Sequence, residues 1–220
     1  MVRKLGTAAS EVLTGGVGRD YLSGLAGNDT LYGLDSHDTL LGGDGNDKLI
    51  GGGGADALFG GNGRDHLHAG LGDDKLDGGA GDDTMYGANG HDDLEGGSGK
   101  DMLWGGNGND EIDGDAGNDF LAGEAGNDTL DGGSGNDVLE GGAGADVFEF
   151  ERGNGSDAVR DFQNGLDRLE FDDFSRAQVQ LVIRAAAQVG DNIVMALGSD
   201  TYVTIKDMQL SQLDINDFVF

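Results

Sequence analysis

Gly132-Gly133-Ser134-Gly135-Asn136-Asp137-Val138-Leu139-Glu140 is one copy of a nine-residue unit whose reading decides the fold. From Gly15 to Glu149 the chain divides into fifteen such units without an insertion. The first runs Gly15-Gly16-Val17-Gly18-Arg19-Asp20-Tyr21-Leu22-Ser23. The sixth position is Asp every time: Asp20, Asp29, Asp38, Asp47, Asp56, Asp65, Asp74, Asp83, Asp92, Asp101, Asp110, Asp119, Asp128, Asp137 and Asp146. The eighth is always apolar, mostly Leu, with Met85, Ile112 and Phe148 as variants. The first is Gly except at Ala69, the fourth is Gly except at Ser36, and the second is Gly in ten units.

Each regularity has its own physical reason. Glycine at positions one, two and four is expected to take positive φ, turn tightly and leave carbonyl oxygens open to a cation. Aspartate at six supplies a hard, charged oxygen. The last three residues predict a short strand in which only the eighth points inward, so that stacked units build a narrow apolar column. One unit closes half a turn, and two make an 18-residue coil. Fifteen units then give about 7.5 coils and, at roughly 4.8 Å between strands, a roll about 36 Å long. The fold class is an all-β parallel β-roll, a β-solenoid of two facing sheets. Loops two units apart stack on one edge, eight along one and seven along the other. The gaps between them set a ceiling of about 13 Ca²⁺ sites built from carboxylates and carbonyls, the oxygen set that calcium prefers.

Composition supports a cation partner. The chain has 220 residues with 45 Gly, no Pro and no Cys, and a net charge of −29 from 42 acids and 13 bases. That balance excludes nucleic acid and anionic membrane surfaces as partners. It also opposes compaction unless counter-charge arrives. The missing cysteines exclude disulfides and thiolate metal sites. Met1–Ser10 lacks the apolar core of a classical signal peptide, and no apolar run approaches the roughly 18 residues of a membrane span.

The unit Gly-Gly-x-Gly-x-Asp-x-apolar-x resembles the RTX, or hemolysin-type, calcium-binding nonapeptide repeat, over about 135 residues. The resemblance implies a right-handed roll, Ca²⁺ at the loops, and export by type I secretion machinery to the outside of a Gram-negative cell. Leu25, Leu34, Ser36, Asp115 and Glu124 depart from the glycine pattern, and sites near them are expected to be weaker.

Three regions follow: 1–14, 15–149 and 150–220. Gly6–Thr14 reads as a degenerate unit with Glu11 at position six and Leu13 at position eight, forming an N-terminal cap. After Phe148 a looser copy contains Asp157, and a further segment contains Asp167; both are candidate ligands, with a plain turn role as the alternative. This run resembles the closing segment after RTX repeats in serralysin-type proteases. Ser175–Val189 has a helical pattern with Ala177, Leu181, Val182, Ala185, Ala186 and Val189 on one side, and a capping box from Ser175 and Gln178. Ile193–Leu197 and Thr201–Ile205 read as strands, so the cap is small and α+β. The ending Asp217-Phe218-Val219-Phe220 resembles this family's uncleaved secretion signal, and also reads as a last strand.

No enzyme is expected in these residues. His37, His66, His68 and His91 form no H-E-x-x-H, and the serines form no G-x-S-x-G. His37 and His91 sit at position five, read as variable, and Trp104 reads as a lone outward aromatic. The alternative function is a carbohydrate-binding module of a larger secreted enzyme; the resemblance to RTX modules attached to alginate epimerases implies an acidic polysaccharide ligand, polyuronate or alginate, met through Ca²⁺. A row of exposed rings or bases along one sheet would favour it.

Overall fold

One spacing, eighteen residues, organises the architecture. In the computed structural model, which describes residues 1–172 and 174–219, strands pair in parallel with the copy one coil on. Arg3 opposes Tyr21, Tyr21 opposes Thr39, and Thr39 opposes Ala57. Alternate units therefore feed alternate sheets. The first sheet rises from Arg3–Leu5 through Tyr21–Ala26, Thr39–Asp44, Ala57–Asn62, Lys75–Ala80 and Asp93–Gly99. It continues through Glu111–Asp113, Thr129–Asp131 and Val147–Phe150 to Arg168–Phe171. The second rises from Val12–Thr14 through Thr30–Asp35, Lys48–Gly53, His66–Leu71, Thr84–Asn89 and Met102–Asn107. It continues through Phe120–Ala125 and Val138–Glu140 to Ser156–Val159. The result is an all-β parallel solenoid of about nine coils. The degenerate N-terminal unit is built into it, since Arg3–Leu5 and Val12–Thr14 start the two sheets.

The core consists of the eighth positions. Leu22, Leu40, Leu58, Leu76, Leu94, Ile112, Leu130 and Phe148 line the inside of the first sheet, and none is more than 1% exposed. Leu31, Leu49, Leu67, Met85, Leu103, Leu121 and Leu139 do the same for the second. Each coil thus buries two large side chains, far fewer than an ordinary domain of this length offers.

From Tyr21 to Asn107 the strands are six or seven residues long, not three, because the ladder runs on through positions one to three of the next unit: Leu25 opposes Gly43 and Ala26 opposes Asp44. Positions two and four do carry positive φ, with Gly16, Gly18 and Gly117 as the exceptions. The non-glycine residues conform as well: Leu25 (75°), Leu34 (86°), Ser36 (79°), Asp115 (62°) and Glu124 (71°). The first position corrects the sequence reading, since its glycines do not have positive φ. They are needed for space. A Cβ at Gly24 would lie 2.2 Å from Asp29 Oδ2 and 2.7 Å from the Gly42 carbonyl oxygen.

Both sheets continue past Glu149. Arg168–Phe171 pairs with Phe218–Val219 on the first, and Ser156–Val159 pairs with Tyr202–Ile205 on the second. Asn192–Ala196 and Ala187–Val189 then add antiparallel, ending the parallel stack. Rings replace leucine in this part of the core: Phe171 lies 5.9, 5.6 and 5.3 Å from Phe150, Phe174 and Phe218. The helix covers only Arg176–Ala185, with Gln178 Oε1 accepting the Ser175 N–H at 2.9 Å. It buries Val179 and Val182, while Leu181 is 62% exposed and Val189 56%. The predicted face was therefore rotated. The sequence from Val179 also supports Val182, Ile183 and Ala186 at helical spacing, and this set packs on the cap core. Asp217 is buried and Phe218–Val219 is a strand; Phe220 lies outside the described residues.

Two substitutions separate these roles. Leu76→Ala leaves a hole in the column and is expected to cost about 2–5 kcal/mol. Leu25→Gly removes a side chain from a left-handed residue and is expected to stabilise the roll by up to about 1 kcal/mol. Urea unfolding in excess Ca²⁺ checks both signs.

Candidate metal sites along the roll edges

Because the coil repeats every eighteen residues, the sixth-position aspartates stack into two ladders. On one edge the N–H of Asp20 donates to Asp38 Oδ1, that of Asp38 to Asp56, and so on through Asp74, Asp92, Asp110, Asp128 and Asp146. On the other the run is Asp29, Asp47, Asp65, Asp83, Asp101, Asp119, Asp137. Asp157 and Asp167 extend the ladders, accepting from Asp137 (3.1 Å) and Asp146 (3.2 Å) although the spacing there is 20 and 21 residues. Below, Glu11 donates to Asp29 Oδ1 at 2.7 Å, and Val2 donates to Asp20. All seventeen sequence-predicted aspartates are thereby gathered into two files.

The ladder uses one oxygen of each carboxylate. The other, Oδ2, is buried without a hydrogen-bond partner in fourteen consecutive aspartates from Asp29 to Asp146. Stranding even one such oxygen is costly. From Asp38 to Asp146 burial, reinforced by like charge from nearby acids, pushes these carboxyls up. Asp56, Asp65, Asp92, Asp110 and Asp119 reach about 6. Asp74, Asp83, Asp101 and Asp128 reach about 7. The adjacent Asp137 and Asp157 are both raised, first by burial. Asp167 also rises to about 6, and its Oδ2 accepts the Gln163 N–H at 2.7 Å.

Carbonyl oxygens complete the donor set. Those of positions two and four point at the following loop, into space that a side chain would fill. A Cβ at Gly61 would lie 2.3 Å from the Gly43 oxygen, and one at Gly63 1.9 Å from the Gly45 oxygen. At Gly126 it would meet the Gly108 oxygen at 1.4 Å and Asp128 Oδ1 at 3.0 Å. Among the described residues no three His, Cys, Asp or Glu side chains converge on one point, so a cation here must draw on the backbone. Hard carboxylate and carbonyl oxygens, with glycine leaving the approach open, fit Ca²⁺, which takes six to eight such ligands.

Position five had been read as variable, yet it forms a second ladder of opposite polarity. Asn46 N–H donates to Asn28 Oδ1 at 3.0 Å, Arg64 N–H to Asn46 Oδ1 at 2.9 Å, and Asn127 N–H to Asn109 Oδ1 at 2.9 Å. His37 and His91 belong to it, accepting from Ala55 (2.6 Å) and Asn109 (2.8 Å) through Nδ1. The signal was present: ten of fifteen units carry Asn, Asp or His there.

Comparison with known proteins identifies the repeat. The family model described as the RTX calcium-binding nonapeptide repeat matches residues 5–40, 32–67, 59–94, 86–121, 95–130 and 122–156. No curated protein matches the sequence significantly. Similar solved structures include the extracellular lipase LipA from Serratia marcescens, at 19% identity and a TM-score of 0.45, covering 99% of this chain and 40% of the lipase. The solution structure of the AlgE6R3 subunit of the Azotobacter vinelandii mannuronan C5-epimerase is similar at 29% identity and a TM-score of 0.44, covering 58% of this chain and 79% of that one. The chain therefore spans less than half the length of the lipase.

The raised acids set a pH dependence. Their pKa is higher in the roll than the ordinary 3.8, so the metal-free roll binds protons more tightly than the unfolded chain. That stability is full below about 3.8 and lost as pH rises through about 6 to 7. In excess chelator, acidification from about pH 8 to 5 is expected to bring in β signal by circular dichroism. In Ca²⁺ the same change is expected to raise the folding midpoint, because protons compete with metal. A chelated sample with an unchanging spectrum would contradict the assignment of the buried carboxyls.

Proposed function

The chain belongs to the RTX calcium-binding nonapeptide-repeat family, and from that premise we propose that its roll is a calcium-triggered folding module of a secreted bacterial protein. RTX repeats bind Ca²⁺. Beyond that, we assign as ligands the fifteen repeat aspartates from Asp20 to Asp146 with Asp157 and Asp167, together with the position-two and position-four carbonyls. The observation that carries this reading is the row of fourteen buried, partnerless Oδ2 atoms.

The mechanism is electrostatic. Residues 15–149 hold 29 acids and 5 bases. Two buried side chains per coil cannot offset chain entropy plus that repulsion. Without Ca²⁺ the chain stays unfolded; with it, binding free energy becomes folding free energy, because the site exists only in the coil. Each coil touches only its neighbours, so filling is cooperative along the roll. Sites with dissociation constants of roughly 10⁻⁴ to 10⁻³ M would be empty in a low-calcium cytosol and full outside. Unfolded export through type I machinery, followed by folding on the outside, would then favour outward movement. We place no active site in these residues.

The carbohydrate alternative gains a row of rings but not their faces. Trp104 is not alone: Tyr86 stacks on it at 4.8 Å with the planes 8° apart. Each ring covers a face of the other, and a ring face is what a sugar stacks on.

A calcium titration followed by far-UV circular dichroism tests the module, with Mg²⁺ as control. The expected result is a sharp coil-to-β transition at submillimolar to millimolar Ca²⁺ that Mg²⁺ does not produce. Asp83→Asn is expected to raise the midpoint several-fold, and the outward Glu111→Gln to leave it in place. A full β spectrum in excess chelator at pH 7.5 would sink the switch.

A further inference from the structure

The two outer faces of the roll differ in kind. Seventh and ninth positions point outward on both. On the first sheet the ninth positions line up Asp77, Glu95, Asp113, Asp131 and Glu149 on consecutive strands. On the second sheet the same column reads Tyr32, Ile50, His68, Tyr86, Trp104. Its seventh-position column includes Lys48, His66, Met102 and Phe120. From Val12 to Ala158 these two columns contain a single acid, Glu140, in a chain of net charge −29, and the remaining outward positions of the same strands add Asp35 and Glu124.

This face is also apolar and exposed. Leu34 is 44% exposed and Leu71 61%, and with Tyr32, Ile50 and the single acid Asp35 they line a shallow cleft of about 420 Å³. Leu34 holds this place at a φ of 86°, where glycine would be less strained. The Tyr86–Trp104 stack continues to Phe120, tilted by 53° at 5.6 Å, so that three rings follow one another along the roll axis.

We propose that the outer face of the second sheet is a dimerisation surface, occupied by the same face of a second copy. Three arguments select that occupant. The first is charge: two copies of so acidic a chain repel least through the face on which acids are fewest. The second is shape. Both faces carry one strand spacing, and flat sheets pack face to face about 10 Å apart. A two-fold axis near His68 and Tyr86 sets the Tyr32–Leu34 end of each copy on the Trp104–Phe120 end of the other, a self-complementary contact. The third is area. Nine strands at about 4.8 Å by strands about 20 Å long give roughly 1,500 Å² over both copies, within the range of stable interfaces. A polyanion fits less well, since Lys48 is the only Lys or Arg in the two columns between Val12 and Ala158.

Sedimentation velocity of the Ca²⁺-loaded protein between about 1 and 100 µM tests the proposal. The expected result is a concentration-dependent shift from 22.6 kDa to twice that mass. Tyr86→Glu and Leu71→Glu are each expected to weaken the dimer at least tenfold. Both should retain the wild-type dichroism spectrum and calcium midpoint, which separates a lost interface from a lost fold. Asp77→Asn on the acidic face is expected to change nothing. A monomer throughout the range, or a dimer indifferent to both glutamates, overturns the proposal. So does a monomer that binds polyuronate oligosaccharide in a way that Tyr86→Glu abolishes.

Discussion

A carboxylate held by one oxygen and stranded by the other is the constraint on which the rest depends. Asp29 to Asp146 each give Oδ1 to a neighbouring backbone N–H and bury Oδ2 with nothing to bond. One such oxygen is a defect; fourteen in register are a specification for a divalent cation. Glycine at position one follows from the same atom, because a Cβ there would occupy the place of Oδ2. Positive φ at positions two and four follows from the need to aim carbonyls at the next loop. The narrow leucine column is then as much as a nine-residue unit can contribute to a core.

That economy explains why the molecule is one-dimensional. Each coil meets only the coil before and the coil after, so its energetics are a sum of neighbour terms. The two hydrogen-bond ladders run in opposite senses: position-six N–H groups donate toward the C-terminus and position-five N–H groups toward the N-terminus. Each loop is thereby tied to both neighbours before any metal is counted. The aromatic cap closes the stack differently, with Phe150, Phe171, Phe174 and Phe218 in place of stacked leucines and two antiparallel strands ending the parallel pairing.

How much was legible in the sequence depended on whether a signal recurred every nine residues. Sheet membership, the inward column and all fifteen repeat aspartates followed from periodicity. Asp157 and Asp167 needed more than periodicity, because two and three extra residues loop out before the chain returns to register. The reason for glycine at position one was missed because open space and positive φ select the same residue. The ladder at position five was missed because Asn, Asp and His accept interchangeably, so function was conserved across units while identity was not. Tyr86 and Trp104 stand eighteen residues apart and become neighbours only when the coil is closed. The helix face was misjudged because the apolar set was centred on Leu181, which stays exposed, and passed over Val179, which the cap buries.

Calcium and surface charge are coupled in this architecture. The ladder aspartates carry the charge that metal would neutralise, and they lie along the two edges. The acids of the first-sheet face lie elsewhere and bind nothing in the ladders, so they keep the loaded roll soluble and directional in its contacts. The second-sheet face carries few acids in either state: Asp35, Glu124 and Glu140. Loading therefore leaves a body with one repulsive side and one side free to associate. An unfolded chain has neither side, because both are products of the eighteen-residue register. Assembly through that face would follow folding and depend on it, which ties any partner of this surface to the same cation that closes the coils.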